Sequence, residues 1–121
     1  MIEPDVKAQL PVPPRTFAIL LALAEEPKHG YRLMRELQEN PVEQWLLGPA
    51  TLYRTLKQMQ EVGLITATGG PDEGSDGPPR RYYGLTGFGR RVAQAEASRM
   101  RGLVARAELL RMAGSGGVDR I

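Results

Sequence analysis

Apolar positions along this chain fall into stretches of helical spacing separated by short breaks. Thr16 to Glu25 carries Phe17, Ile19, Leu20, Leu21, Leu23 and Ala24. They cover much of a helical circumference, so this first helix is expected to be buried on more than one side. Glu26-Pro27-Lys28-His29-Gly30 breaks it, because Pro27 disfavours helical backbone at Glu26 and Gly30 tolerates unusual φ. Tyr31 to Asn40 resumes the helical period, with Leu33, Met34 and Leu37 inward and Arg32, Arg35, Glu36 and Glu39 outward. Asn40-Pro41 ends it. Val42 to Leu47 is a connection holding the only tryptophan, Trp45, which reads as core beneath the helix that follows.

That third helix runs from Pro49 to Val62 and stops at Gly63. Pro49 suits a first helical position, where its φ is pre-set and its missing donor costs nothing. Leu64 to Ala67 predicts a short strand, and Thr68 to Pro79 is turn chemistry throughout and reads as a mobile loop. Arg80 to Leu85 returns as a second strand paired with the first. Thr86 opens a last helix reaching about Met112. The resulting class is mainly α with a small β-hairpin wing, a winged helix-turn-helix with a long carboxy-terminal helix. Its expected parts are an extended arm (1–14), the winged domain (15–85), a dimerisation helix (86–112) and a flexible tail (113–121).

Composition narrows the function. The formal net charge is only +2, but it is unevenly spread: Arg80 onward holds nine Arg and three acids, and the earlier part is net −4. Zero cysteines exclude disulfides and thiolate metal sites. His29 is the only histidine, so a metal or catalytic cluster has no members, and a capping, packing or phosphate-contact role remains for it. No glycine-rich phosphate loop and no nucleophile–base pair is present, so no enzyme activity and no cofactor is expected. No apolar run approaches the ~20 residues that span a bilayer, and the start of the chain lacks a secretion signal. A soluble, cytoplasmic protein with no membrane partner is expected.

The third helix carries the candidate chemistry. Leu52, Leu56 and Met59 make its dry stripe; Thr51, Arg54, Thr55 and Gln58 lie opposite, with Tyr53 and Lys57 on the flanks. Such a polar face suits the DNA major groove: Arg54 and Gln58 to base edges, Thr51, Tyr53 and Lys57 to phosphates. Arg80 and Arg81 open the wing strand, where they favour phosphate contact. Asp72, Glu73 and Asp76 would be repelled by phosphate, turning the wing tip away from DNA. Arg81 and Tyr83 share a strand face and Tyr82 takes the other, so one tyrosine is expected to be buried.

These residues resemble the PadR-like transcriptional regulators. Ala18-Ile19-Leu20-Leu21-Ala22-Leu23 with Lys28-His29-Gly30-Tyr31 is similar to that family's first helix and its entry to the second. Gly48-Pro49-Ala50-Thr51-Leu52-Tyr53 resembles its recognition-helix start, with Gly48 replacing the usual serine. Glu61-Val62-Gly63-Leu64-Ile65 matches the helix exit, and Arg80-Arg81-Tyr82-Tyr83-Gly84-Leu85-Thr86 the wing strand, with Gly89 just beyond. The resemblance implies a homodimer on double-stranded DNA with a two-fold symmetric operator, usually a repressor, often relieved by a small-molecule effector. Some relatives stack flat aromatic drugs on a tryptophan of the last helix; no aromatic residue follows Phe88 here, so that mode is not carried over. Ala93, Ala97, Met100, Leu103, Val104, Ala107 and Leu110 repeat at heptad-like spacing on the last helix and form the expected dimer seam. The competing reading is a winged-helix protein-interaction module that does not bind DNA, supported by the acidic loop and the modest net charge.

Overall fold

The computed structural model describes residues 3–40, 44, 47–69 and 81–113. Its elements, in chain order, are α1 (Pro4–Lys7), α2 (Pro14–Glu25), β1 (Lys28–His29), α3 (Gly30–Glu39), α4 (Pro49–Glu61), β2 (Ile65–Thr68), β3 (Tyr82–Leu85) and α5 (Gly87–Ala113). Prolines stand in the first turns of α1, α2 and α4, where a missing N–H leaves no bond unmade. The nitrogen Nδ1 of His29 accepts the Arg32 backbone N–H at 3.2 Å and so caps α3. Gly48 offers α4 no side-chain cap.

The exit of α4 is a Schellman turn. Gly63 sits at φ +82°, and its N–H donates to the Gln60 carbonyl while Leu64 N–H donates to Met59. Glycine has no Cβ to oppose that left-handed backbone. The chain thus reverses at once into β2.

Three strands, not two, make the sheet, in the order β1-β3-β2 and antiparallel throughout. Lys28 lies opposite Tyr83, His29 opposite Tyr82, and Ile65 opposite Leu85. A two-residue strand leaves no periodic trace, so sequence reading saw a break where β1 lies. Its presence makes β3 central, and Tyr82 and Tyr83 are both buried. The expectation of one buried tyrosine is therefore corrected to two; the Tyr82 ring meets His29 edge-on at 5.4 Å.

The core gathers Ile19, Leu20 and Leu23 of α2, Leu33 and Leu37 of α3, Leu52, Leu56 and Met59 of α4, and Val92 of α5. The stretch expected as an extended arm is instead partly helical and packed, with Val6 and Val12 buried. Thr86 joins the parts around α5: its hydroxyl lies 2.6 Å from the Gly63 carbonyl oxygen and 3.0 Å from that of Leu64. The same hydroxyl accepts the Gly89 N–H at 2.9 Å, capping α5. Beyond Ala97 every described side chain of α5 is exposed. The readings for Trp45, the wing-loop acids, Arg80 and the tail from 114 onward concern positions outside the described residues.

Candidate nucleic-acid interface

Helix α4 is held from behind by Leu52, Thr55, Leu56 and Met59, all buried. Burial of that side fixes which residues face out. Tyr53, Arg54, Lys57 and Gln58 are exposed and Thr51 is half-buried. Thr55, read from sequence as part of the polar face, turns inward, and its hydroxyl donates to the Thr51 carbonyl at 2.9 Å. A threonine can hide in a helix this way because the preceding turn supplies the acceptor.

Tyr53 leans across the start of α3. A Cβ built on Gly30 would lie 2.7 Å from the ring carbon Cζ, so a larger residue there would push the exposed ring aside. Arg81 is exposed at the entrance to β3 and hydrogen-bonds the Tyr83 phenol, whose pKa is raised by burial. Tyr53, Lys57, Gln60, Glu61, Arg81 and Tyr83 together line an open cleft of about 510 Å³ between α4 and the wing strand. Two cations and two phenols against one carboxylate suit a phosphate oxygen better than a base edge. Arg54 and Gln58 are not among the residues lining it.

The structure therefore brings Tyr53, Lys57 and Arg81 together at one cleft, and places Thr51, Arg54 and Gln58 on the same helix as the first two. Gln60 and Glu61 were not singled out from sequence; their part depends on where β3 runs, which periodicity does not show. Nor was the network beside this face. Lys28 has no solvent exposure, and its ammonium group meets Glu25 at 2.8 Å and Glu36 at 2.6 Å. Arg32 completes it, bonding Glu36 at 2.8 Å and Glu26 at 3.0 Å. Burial alone would lower the Lys28 pKa, but hydrogen bonds to the two carboxylates outweigh it and raise it. Tyr31, half-exposed, accepts from Arg35 Nη1 at 3.2 Å. This network pins the α2–α3 corner under the sheet.

On α5, Ala93 is buried in the core of its own domain, which leaves it little surface to offer a partner helix. One turn past the cap, the helix still packs on α1 and α2. Ala97 is half-buried, and Met100, Leu103, Val104, Ala107 and Leu110 are exposed. Among the described residues no group of His, Cys, Asp or Glu could hold a metal ion, and no helix is long and apolar enough to cross a membrane.

A family model described as the transcriptional regulator PadR-like family matches residues 19–95, more than half of the chain and all of α3, α4 and the sheet. The chain belongs to the PadR-like family of transcriptional regulators. A PadR-like transcription factor of Bacteroides fragilis superposes with a TM-score of 0.69 at 25% identity, over 88% of this chain and 98% of that one. A PadR-like regulator of Bacillus cereus gives 0.65 at 23%, over 89% and 96%. An uncharacterized protein of Lysinibacillus sphaericus is 29% identical over 72 residues, which is 60% of this chain and 64% of its own length. The PadR-like match accounts for the three-helix core, the wing strand and the α4 exit. It ends two residues before Ala97, so the projecting half of α5 lies outside it, as do residues 3–14.

Proposed function

We propose that this PadR-like chain is a sequence-specific DNA-binding repressor that works as a homodimer and is released by a small molecule. The observation that carries the DNA reading is the outward set Arg54, Lys57 and Gln58 on a helix anchored from behind, with Arg81 across the cleft. Two copies of α4 then enter successive major grooves about one helical turn, ~34 Å, apart. Arg54 and Gln58 read base edges, while Tyr53, Lys57 and Arg81 hold phosphates. Exposed Leu103, Val104 and Leu110 support the homodimer, since a projecting helix gains little stability alone. A ligand that tilts the two α5 helices changes the spacing of the α4 pair and so the affinity.

The test is a mobility shift on the DNA immediately upstream of the coding region, at two salt concentrations with excess competitor. A specific, salt-sensitive shift is expected, weakened by Arg54→Ala by about 1–3 kcal/mol, roughly five- to 150-fold. Lys57→Ala should weaken all sequences alike and reduce the salt slope by about 1. Absence of binding to any DNA at low salt would transfer the function to a protein-interaction module.

A further inference from the structure

Strand β3 is the middle strand of the sheet, and Tyr83 is held from both edges: Lys28 of β1 stands opposite it on one side and Ala67 of β2 on the other. Its ring belongs to the hydrophobic core, and the residue is only 3% exposed. Even so, Tyr83 lines the cleft beside α4, together with Tyr53, Lys57, Gln60, Glu61 and Arg81. Tyr82, one residue earlier, takes the opposite face and packs on His29. The two buried tyrosines therefore have different neighbours, and only one of them meets the cleft. A phenol whose backbone is paired twice and whose ring is packed in a core is a fixed point.

Arg81 has the opposite character. It precedes the paired residues of β3, it is exposed, and its long side chain has much rotamer freedom to lose. Two positions apart, Arg81 and Tyr83 fall on the same side of the strand, and the guanidinium donates a hydrogen bond to the Tyr83 phenol. Burial raises the phenol pKa, and the positive charge of Arg81 pulls against that rise. A guanidinium has several N–H donors; the phenol oxygen takes one and leaves the rest for a partner. The cleft also holds a carboxylate, Glu61, to which an unanchored guanidinium would turn.

We propose that Tyr83 is a positioning residue for DNA contact: its phenol, fixed by the core, aims the Arg81 guanidinium into the cleft where a backbone phosphate is held. This rests on the DNA reading above and adds the residue that orients one of its contacts. A side chain already held in its working conformation loses less freedom on binding, so affinity rises without any new contact to DNA. Phosphate contacts carry no base information, so the effect falls on all sequences alike.

Tyr83→Phe removes the hydroxyl and leaves the ring to fill the core. With folding checked by circular dichroism, affinities for operator and competitor DNA are measured for Tyr83→Phe, Arg81→Ala and the double variant. Tyr83→Phe should weaken binding to both DNAs about fivefold, the effect of one lost hydrogen bond. It should cost nothing further where Arg81 is already alanine. An equal loss in the Arg81→Ala background would mean that the phenol acts without Arg81, and would overturn the assignment. Undiminished affinity of Tyr83→Phe, beside an Arg54→Ala variant that binds weakly, would end it and leave the DNA reading standing. Absence of DNA binding by the unaltered chain ends both. The free protein gives a second readout. With fluorotyrosine in place of the four tyrosines, the Tyr83 fluorine resonance, identified with single Tyr→Phe variants, is followed against pH. Its midpoint should move upward in Arg81→Ala, because a neighbouring cation favours the phenolate. A midpoint that stays in place means that guanidinium and phenol do not meet, which overturns the positioning role without touching the DNA reading.

Discussion

Lys28 and Gly89 show how much a single position carries here. The Lys28 ammonium group, fully buried, is satisfied by Glu25 and Glu36, whose side chains are 71% and 35% exposed. Removing one partner of a wholly buried pair costs about 3–5 kcal/mol. Here the carboxylates left behind reach water, and Glu36 keeps Arg32, so Lys28→Met is expected to cost about 1–2 kcal/mol in urea unfolding. Gly89 is tighter. A Cβ there would collide with the Leu64 carbonyl oxygen and lie 2.9 Å from Leu85 Cδ1. Alanine normally favours a helix by about 1 kcal/mol over glycine. The clash is with backbone, which cannot swing aside, so Gly89→Ala should instead lower stability by about 1–3 kcal/mol. A stabilised variant in thermal unfolding would contradict this packing.

At the scale of elements, legibility followed local information. Helix α4 could be read because Pro49, the Leu52–Leu56–Met59 stripe and Gly63 are all local signals. Strand β1 could not, since two residues carry no period, and with it went the Lys28 network and the second buried tyrosine. The packing of residues 3–14 was equally hidden: Val6 and Val12 find their burial against α5, and the bond that holds Val12 comes from Glu96, far along the chain. The apolar spacing on α5 was legible, but buried Ala93 shows that spacing does not say which turns the domain itself covers. The element-scale prediction concerns the remainder. Leu103→Asp with Leu110→Asp touches only exposed positions, so circular dichroism of the domain should be unchanged. Sedimentation should show monomer, and operator affinity should fall at least tenfold, because each half-site then binds alone.

For the whole molecule, pH sets the range over which the clasps hold. Glu96 is held below the usual carboxylate range by Arg99 and Val12. Glu36 is also held low, since Lys28 and Arg32 overcome the opposing effect of burial. A depressed carboxylate contributes stability that is present above its unfolded pKa, about 4.3, and is lost as pH falls through the folded value. Lys28 is shifted upward, so its contribution is present below about 10.4 and is lost as pH rises through its folded value. Melting temperature should therefore be level near neutrality and fall below about pH 4. Glu96→Gln should make the acid limb shallower, a change that differential scanning calorimetry would resolve.

The knot around Thr86 has a mechanical consequence. One hydroxyl binds the exit of α4 to the first turn of α5, and Gly89 presses against the same Leu64 carbonyl. These contacts favour α4 and α5 turning together as one bent arm, like half of a pair of callipers. The part of α5 beyond Ala97 is about 24 Å long. A 10° tilt at its far end, if transmitted whole, moves a point that distance away by about 4 Å, roughly one base-pair step. In the proposed homodimer, small rotations where two such arms cross would reach the calliper tips, and the gap between the tips would be the quantity on which the proposed effector acts.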